Sequence, residues 1–219
     1  MRTIKVTGKG NIKMRPDMTR IKIILERQFK GYDETLRHSS EDTEQLRDLV
    51  QKFGFEKTDL KTLFFNVDPV YESYRENDEY KSRFVGYKYR HETKLDFDSD
   101  NERLGKILYA LANCSLCPEF DLSYTIKDPE AAKNKLLGKA VDDAKEKAVA
   151  LAAASGVELK AIQNIDYSWG EIDIEVNPTR LAKSSVAYDR VNSVECYGIN
   201  IEPDEINLSD TVTIIWEIE

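Results

Sequence analysis

From Phe84 to Phe97 the chain alternates between two kinds of residue, and a helix cannot carry that pattern. Val85, Tyr87, Tyr89, His91, Thr93, Leu95 and Phe97 share one face, while Lys88, Arg90, Glu92, Lys94 and Asp96 share the other. A period of two is the signature of a half-buried strand. Such a strand needs neighbours and a layer to cover its apolar face. Thr62 to Tyr71 reads as one neighbour, stopped near Pro69. The polar stretch Glu72 to Arg83, carrying Asn77-Asp78, reads as a loop joining the two into a hairpin.

The remaining elements follow from the same reasoning. Ile4 to Gly10 reads as a strand that ends in a glycine bend at Gly8-Lys9-Gly10. A second strand from Thr19 places Thr19, Ile21, Ile23 and Leu25 on one face and Arg20, Lys22 and Glu26 on the other. Asp33 is the predicted N-cap of a helix with the stripe Leu36, Thr43, Leu46, Leu49, Val50 and Phe53, closed by Gly54. Ser99-x-x-Glu102 reads as a capping box before a short helix with the stripe Leu104, Ile107, Leu108 and Leu111. Phe120, Leu122, Tyr124 and Ile126 alternate as a strand.

Asp128-Pro129-Glu130 then opens a long helix running to Ser155-Gly156, roughly 40 Å at the usual rise. Its row Ala132, Leu136, Ala140, Ala144, Ala148 and Ala152 is small enough to admit close approach of another element. Lys139, Asp143 and Lys147 read as its solvated face. Ala161 to Trp169 and the terminal run Val212, Ile214, Trp216 and Ile218 are strands. The segment at about 171–209 is polar and irregular, with short candidate strands near Ser185–Ala187 and Val194–Tyr197. The predicted order is ββαββαβαββ, an α+β fold with a largely antiparallel sheet and helices on one side, in a single domain spanning 1–219.

Composition narrows the function. A net charge of -8 argues against nucleic acid as the main partner, because phosphate binding needs clustered Lys and Arg. No apolar run approaches the roughly 20 residues of a membrane span. Near Met1 there is no basic segment followed by an apolar one, and the three cysteines, Cys114, Cys117 and Cys196, form no dense framework. These features predict a cytoplasmic protein; the alternative is an exported protein whose leader has been removed.

Candidate chemistry is sparse. Gly8-Lys9-Gly10 lacks both phosphate-loop spacings and is followed by a strand. Cys114-Ser115-Leu116-Cys117 is one CxxC, without the further ligands a zinc site needs at recognisable spacing: Cys196, His38 and His91 are the others available. It reads first as a helix–strand turn and second as a thiol or metal site. His91 on an apolar strand face reads as a packed ring rather than a general base. Tyr71, Tyr74 and Tyr80 surround the hairpin end and are candidate interface residues, while Tyr87 and Tyr89 are expected in the core.

Taken together, Val6-x-Gly8-x-Gly10 with Pro16-Asp17, then Gly54, Asp59-Leu60-x-Thr62, Phe65, Val67, Pro69 and Tyr71, resemble the opening blocks of the SIMPL-domain family. Gly86-Tyr87, the alanine-rich helix with Lys147, Gly156 and Leu159, Ile201 to Ile206, and Val212-x-Ile214-x-Trp216 resemble its later blocks. The resemblance implies one α+β unit, a tendency to oligomerise, and no established enzymatic activity. Members include periplasmic and outer-membrane-associated bacterial proteins, some linked to oxidative stress, and an animal signalling adaptor. The expectation is a non-enzymatic, self-associating bacterial protein with a link to stress, without cofactor or bound metal. The long hairpin and the alanine-faced helix are its expected assembly surfaces.

Overall fold

A computed structural model describes residues 2–76, 79–167, 174–179 and 201–219. The elements are β1 (Arg2–Met14), β2 (Met18–Phe29), α1 (Tyr32–Gln51), β3 (Lys61–Glu76), β4 (Glu79–Asp98), α2 (Asn101–Asn113), β5 (Glu119–Thr125), α3 (Pro129–Ser155), β6 (Leu159–Asp166), β7 (Val176–Thr179) and β8 (Ile206–Ile218). This is the α+β class read from the sequence, with β7 as an additional strand. The candidate strands near Ser185–Ala187 and Val194–Tyr197 lie outside the described residues. The last strand starts at Ile206, inside the stretch expected to be irregular, because Ile206 and Leu208 continue the alternation of Val212 and Ile214 into a core.

The strands divide between two sheets, one ordered β1-β8-β6 and one β3-β4-β2-β5-β7. The described residues within Met1–Asp17, Thr125–Val176 and Pro203–Glu219 make one compact unit. Those within Met18–Tyr124 and Asn177–Glu202 make another.

In the first unit β1 pairs antiparallel with β8 from Arg2↔Ile218 to Met14↔Ile206, and β8 pairs with β6. No bend interrupts β1 at Gly8 or Gly10. The two glycines are there because α3 lies against the strand. A Cβ built on Gly8 would stand 2.1 Å from the Ala140 carbonyl oxygen, and one on Gly10 2.3 Å from that of Leu136. The alanine row is wholly buried: Ala140, Ala144 and Ala148 pack with Val6, Val212, Ile214 and Trp216, and Ala132 and Leu136 with Ile12, Ile206 and Leu208. It is therefore consumed inside the chain and is no assembly surface.

The expected solvated face of α3 also has a structural job. β1 is an edge strand, and its outward backbone groups would stand unpaired. Asp143 accepts the Lys9 N–H at 2.7 Å; Lys139 and Lys147 donate to the Asn11 and Thr7 carbonyls at 3.3 and 3.5 Å. Pro16-Asp17 closes the end of β1: the Asp17 N–H donates to the Thr125 carbonyl, and its carboxylate accepts the Lys127 N–H at 2.7 Å. Asp128 caps α3 by accepting from Ala131, and Gly156 ends it in the left-handed region at φ 70°.

In the second unit α1 and α2 cover one face of the five-stranded sheet. Leu46, Val50, Leu104, Ile107 and Leu111 meet Ile21, Ile23, Leu25, Tyr89, Leu95 and Leu122. The other face carries cross-strand ion pairs, among them Arg20–Asp96 at 2.7 Å and Lys22–Glu92 at 2.5 Å. Two caps are displaced from their expected positions. Gly31 caps α1, with Glu34 reaching back to its N–H, so Asp33 stands in the first turn. Asp100 rather than Ser99 caps α2, because its carboxylate reaches the Arg103 N–H at 3.0 Å.

The expected stripe of α1 is partly wrong. Leu36 is exposed, and the buried face is Thr35, Ser39, Asp42, Thr43, Leu46 and Val50. The hydroxyls can be buried because they bond to their own helix: Thr35 donates to the Gly31 carbonyl, Ser39 to Leu36 and Thr43 to Ser39.

Candidate functional site

The hairpin β3–β4 runs past the end of its neighbour. β2 stops at Phe29, opposite Tyr87, whereas β3 and β4 stay paired from Val70↔Gly86 to Glu76↔Glu79. The polar stretch expected to be a loop is thus mostly ladder. Backbone pairing tolerates polar side chains, and Glu72 opposite Arg83 adds an ion pair of 2.6 Å. The ribbon departs at a register shift between Val70 and Tyr71. Gly86 permits it with φ 140°, since a Cβ there would meet the Phe29 carbonyl oxygen at 2.2 Å.

Aromatic rings cluster where the ribbon leaves the sheet. Tyr71 meets Phe84 edge-on at 5.7 Å, Phe84 meets Tyr87 at 5.2 Å, and Tyr87 meets Tyr32 of α1 at 5.3 Å. Tyr71 is 60% exposed, Phe84 47% and Tyr80 82%. Tyr74 lies under the Arg83 guanidinium, and Arg75 stands over Tyr80. Tyr89 is fully buried, and Tyr87 is half-buried. Leu63, Phe64, Phe65 and Phe84, none of them expected as surface residues, are exposed apolar side chains of the hairpin. The available signal was the run Leu63-Phe64-Phe65, which breaks alternation at a register shift and puts apolar groups on both faces of edge strand β3.

Behind the hairpin, α1 is fixed to the sheet by two buried polar contacts. Arg27 Nη1 donates to both oxygens of Asp42 at 2.8 and 2.9 Å, and the Tyr89 hydroxyl donates to Oδ2 at 2.5 Å. Burial, reinforced by the bond to Asp42, pushes the Tyr89 phenol far above its ordinary range. One helical residue along, Thr43 Oγ1 lies 3.0 Å from His91 Nδ1, and Thr62 Oγ1 lies 2.8 Å from Nε2. Thr43 spends its single proton on the Ser39 carbonyl, so it accepts from Nδ1–H. In the neutral ring this places the proton on Nδ1, and Nε2 accepts from Thr62.

With its ring buried and both nitrogens engaged, His91 offers no base to a substrate. Burial holds its pKa below the ordinary imidazole range, and the nearby Arg47 charge adds to this. The unfolded chain therefore binds a proton at His91 more readily than the folded one. The resulting stability is present above about pH 6.5 and is lost as pH falls from there toward the lowered folded value. Urea midpoints at pH 7.5 and 5.5 should show the wild type losing more stability than His91→Gln, which keeps hydrogen-bonding groups but cannot charge. Equal losses in the two proteins would refute this.

The other sequence candidates are dispersed. His38 stacks on Phe29 at 4.3 Å beside Glu41. Cys114 is half-buried and Cys117 exposed in the turn after α2. Cys196 lies outside the described residues. Among the described residues no group of three His, Cys, Asp or Glu side chains gathers to hold an ion. Nor is any described helix long and apolar enough to cross a membrane.

The 26 kDa periplasmic immunogenic protein of Brucella melitensis biotype 1 is 29% identical over 163 residues, and its namesake from Brucella abortus (strain S19) is 28% identical over the same length. In each case the match covers 74% of this chain and 65% of the relative. The SIMPL family model, described as a protein of unknown function, matches residues 4–216. That span takes in the glycines of β1, the hairpin and the helix seated on those glycines: the chain belongs to the SIMPL family.

Proposed function

We propose that this SIMPL-family protein is non-enzymatic and acts by self-association, with the β3–β4 hairpin as its contact surface and a second copy of the chain as the partner. The observation that carries this reading is the two-stranded ribbon beyond Phe29, with Tyr71, Tyr80 and Phe84 exposed along it. Rings of this kind dominate protein contacts, because they bring large area at low entropic cost. β3 stands at the edge of its sheet, where a second copy can extend the ladder. The curated relatives are named as periplasmic, which supports the exported alternative over the cytoplasmic expectation.

Light scattering after size exclusion at micromolar concentration should give a particle mass that is a multiple of 25.2 kDa. The triple variant Tyr71→Ser, Tyr80→Ser, Phe84→Ser should weaken association at least about 100-fold, with unchanged circular dichroism. A monomeric wild type, or an assembly indifferent to the three changes, would remove the proposal.

A further inference from the structure

We propose that Cys114 and Cys117 form a thiol–disulfide site, exchanging with a small-molecule disulfide such as oxidised glutathione to close an intrachain bond across the α2–β5 turn. Cys114 is the C-cap of α2, and the Cys117 N–H donates to its carbonyl at 3.3 Å. A four-residue turn closed this way holds its outer Cα atoms within about 7 Å, which overlaps the roughly 4.4–6.8 Å that disulfides require. The Cys117 sulfur already lies 3.8 Å from the Cys114 carbonyl oxygen.

The two thiols differ in a way that assigns their order. Cys117 is exposed; Cys114 is half-buried, with its sulfur donating to the Leu111 carbonyl at 3.2 Å. Cys117 also sits at φ 45° immediately before Pro118, a left-handed conformation that a non-glycine residue adopts rarely. It is the one described non-glycine residue with positive φ. Beside Cys114 a cavity of about 250 Å³ is lined by Gln45, Asp48, Lys52 and Leu116. Amide, carboxylate and ammonium groups on one wall suit a zwitterionic peptide disulfide.

Exchange proceeds in two balanced steps. The Cys117 thiolate attacks one sulfur of the small disulfide; that S–S bond breaks, and the released thiolate takes up the proton Cys117 gave up. The Cys114 thiolate then attacks the Cys117 sulfur, displaces the second small thiolate and leaves its own proton to it. Two protein thiols are oxidised and one small disulfide is reduced to two thiols, with no other reactant.

The experiment uses Cys196→Ser protein, so that this pair alone reports. The protein is incubated folded with oxidised glutathione, quenched in acid, alkylated and weighed intact. The expected product has lost two hydrogen atoms and both alkylatable thiols, and dithiothreitol restores them. Cys114→Ser in the same background should stop at a glutathione adduct on Cys117. A persistent adduct in the protein with both cysteines, or thiols that react only after unfolding, would overturn the proposal.

Discussion

Gly8→Ala is expected to destabilise the first unit by more than about 2 kcal/mol, although it adds a single methyl group to a strand. The added carbon would lie 2.1 Å from the Ala140 carbonyl oxygen, 2.4 Å from the Ala144 nitrogen and 2.6 Å from the Ala144 Cβ. Two of the three obstacles are helix backbone and cannot rotate away. Relief requires α3 to back off from β1. That separates Val6 from Ala140 and Ala144 and stretches the contacts that Lys139, Asp143 and Lys147 make with the strand edge. Gly138→Ala provides the contrast. It lies within α3, nothing stands within 4 Å of its built Cβ, and alanine is the better helix former by up to about 1 kcal/mol. One substitution should thus lower the urea midpoint and the other raise it. Hydrogen exchange along α3 should accelerate in the first alone. If Gly8→Ala leaves stability within about 0.5 kcal/mol of wild type, the close approach of helix and strand is wrong.

These glycines also show where sequence reasoning reaches its end. The alternation of β2, β4 and β8 was legible because each has one wet and one dry face, and a period of two survives any tertiary arrangement. The alanine row was legible for the same reason, as was its need for a close partner. That the partner is Gly8-x-Gly10 was not, because a glycine pair in a strand reads equally as a bend, and the atoms that decide it lie far along the chain in α3. The charged face of α3 is solvated as expected, but its second role was hidden by the same gap. Lysine and aspartate at fourfold spacing are self-sufficient on a helix surface, and only the exposed edge of β1 turns them into caps.

The hairpin and α1 show the opposite error, where local rules were followed too literally. A run of polar residues such as Glu72 to Arg83 reads as a loop, yet a two-stranded ribbon has no buried face to demand apolar groups. On α1 the apolar stripe selected Leu36, while the chain buries Thr35, Ser39 and Asp42 beside the expected Thr43. A polar face is buried where each group has a partner, and those partners, Arg27, Tyr89 and His91, come from two strands that sequence spacing does not connect to the helix. The exposed rings of the ribbon were partly legible, because Tyr71, Tyr74 and Tyr80 stand in a polar segment with no stripe to bury them.

Asp42→Ala tests that buried face and carries the second large effect, a loss of about 3 kcal/mol. The carboxylate is 3% exposed and accepts from two donors of different kinds, a guanidinium from β2 and a phenol from β4. Arg27 is 45% exposed and can turn to water, so its share of the loss is modest. Tyr89 cannot: its hydroxyl would remain buried without an acceptor, and an unmade bond there costs more than a made one contributes. Tyr89→Phe removes the donor instead and leaves Asp42 paired with Arg27, so it should cost only about 1 kcal/mol. In the double variant the orphaned hydroxyl no longer exists, and the combined loss should fall below the sum of the two single losses by at least about 0.5 kcal/mol. Urea denaturation of the four proteins completes the cycle. Simple additivity would mean that Asp42 and Tyr89 do not share the bond drawn between them.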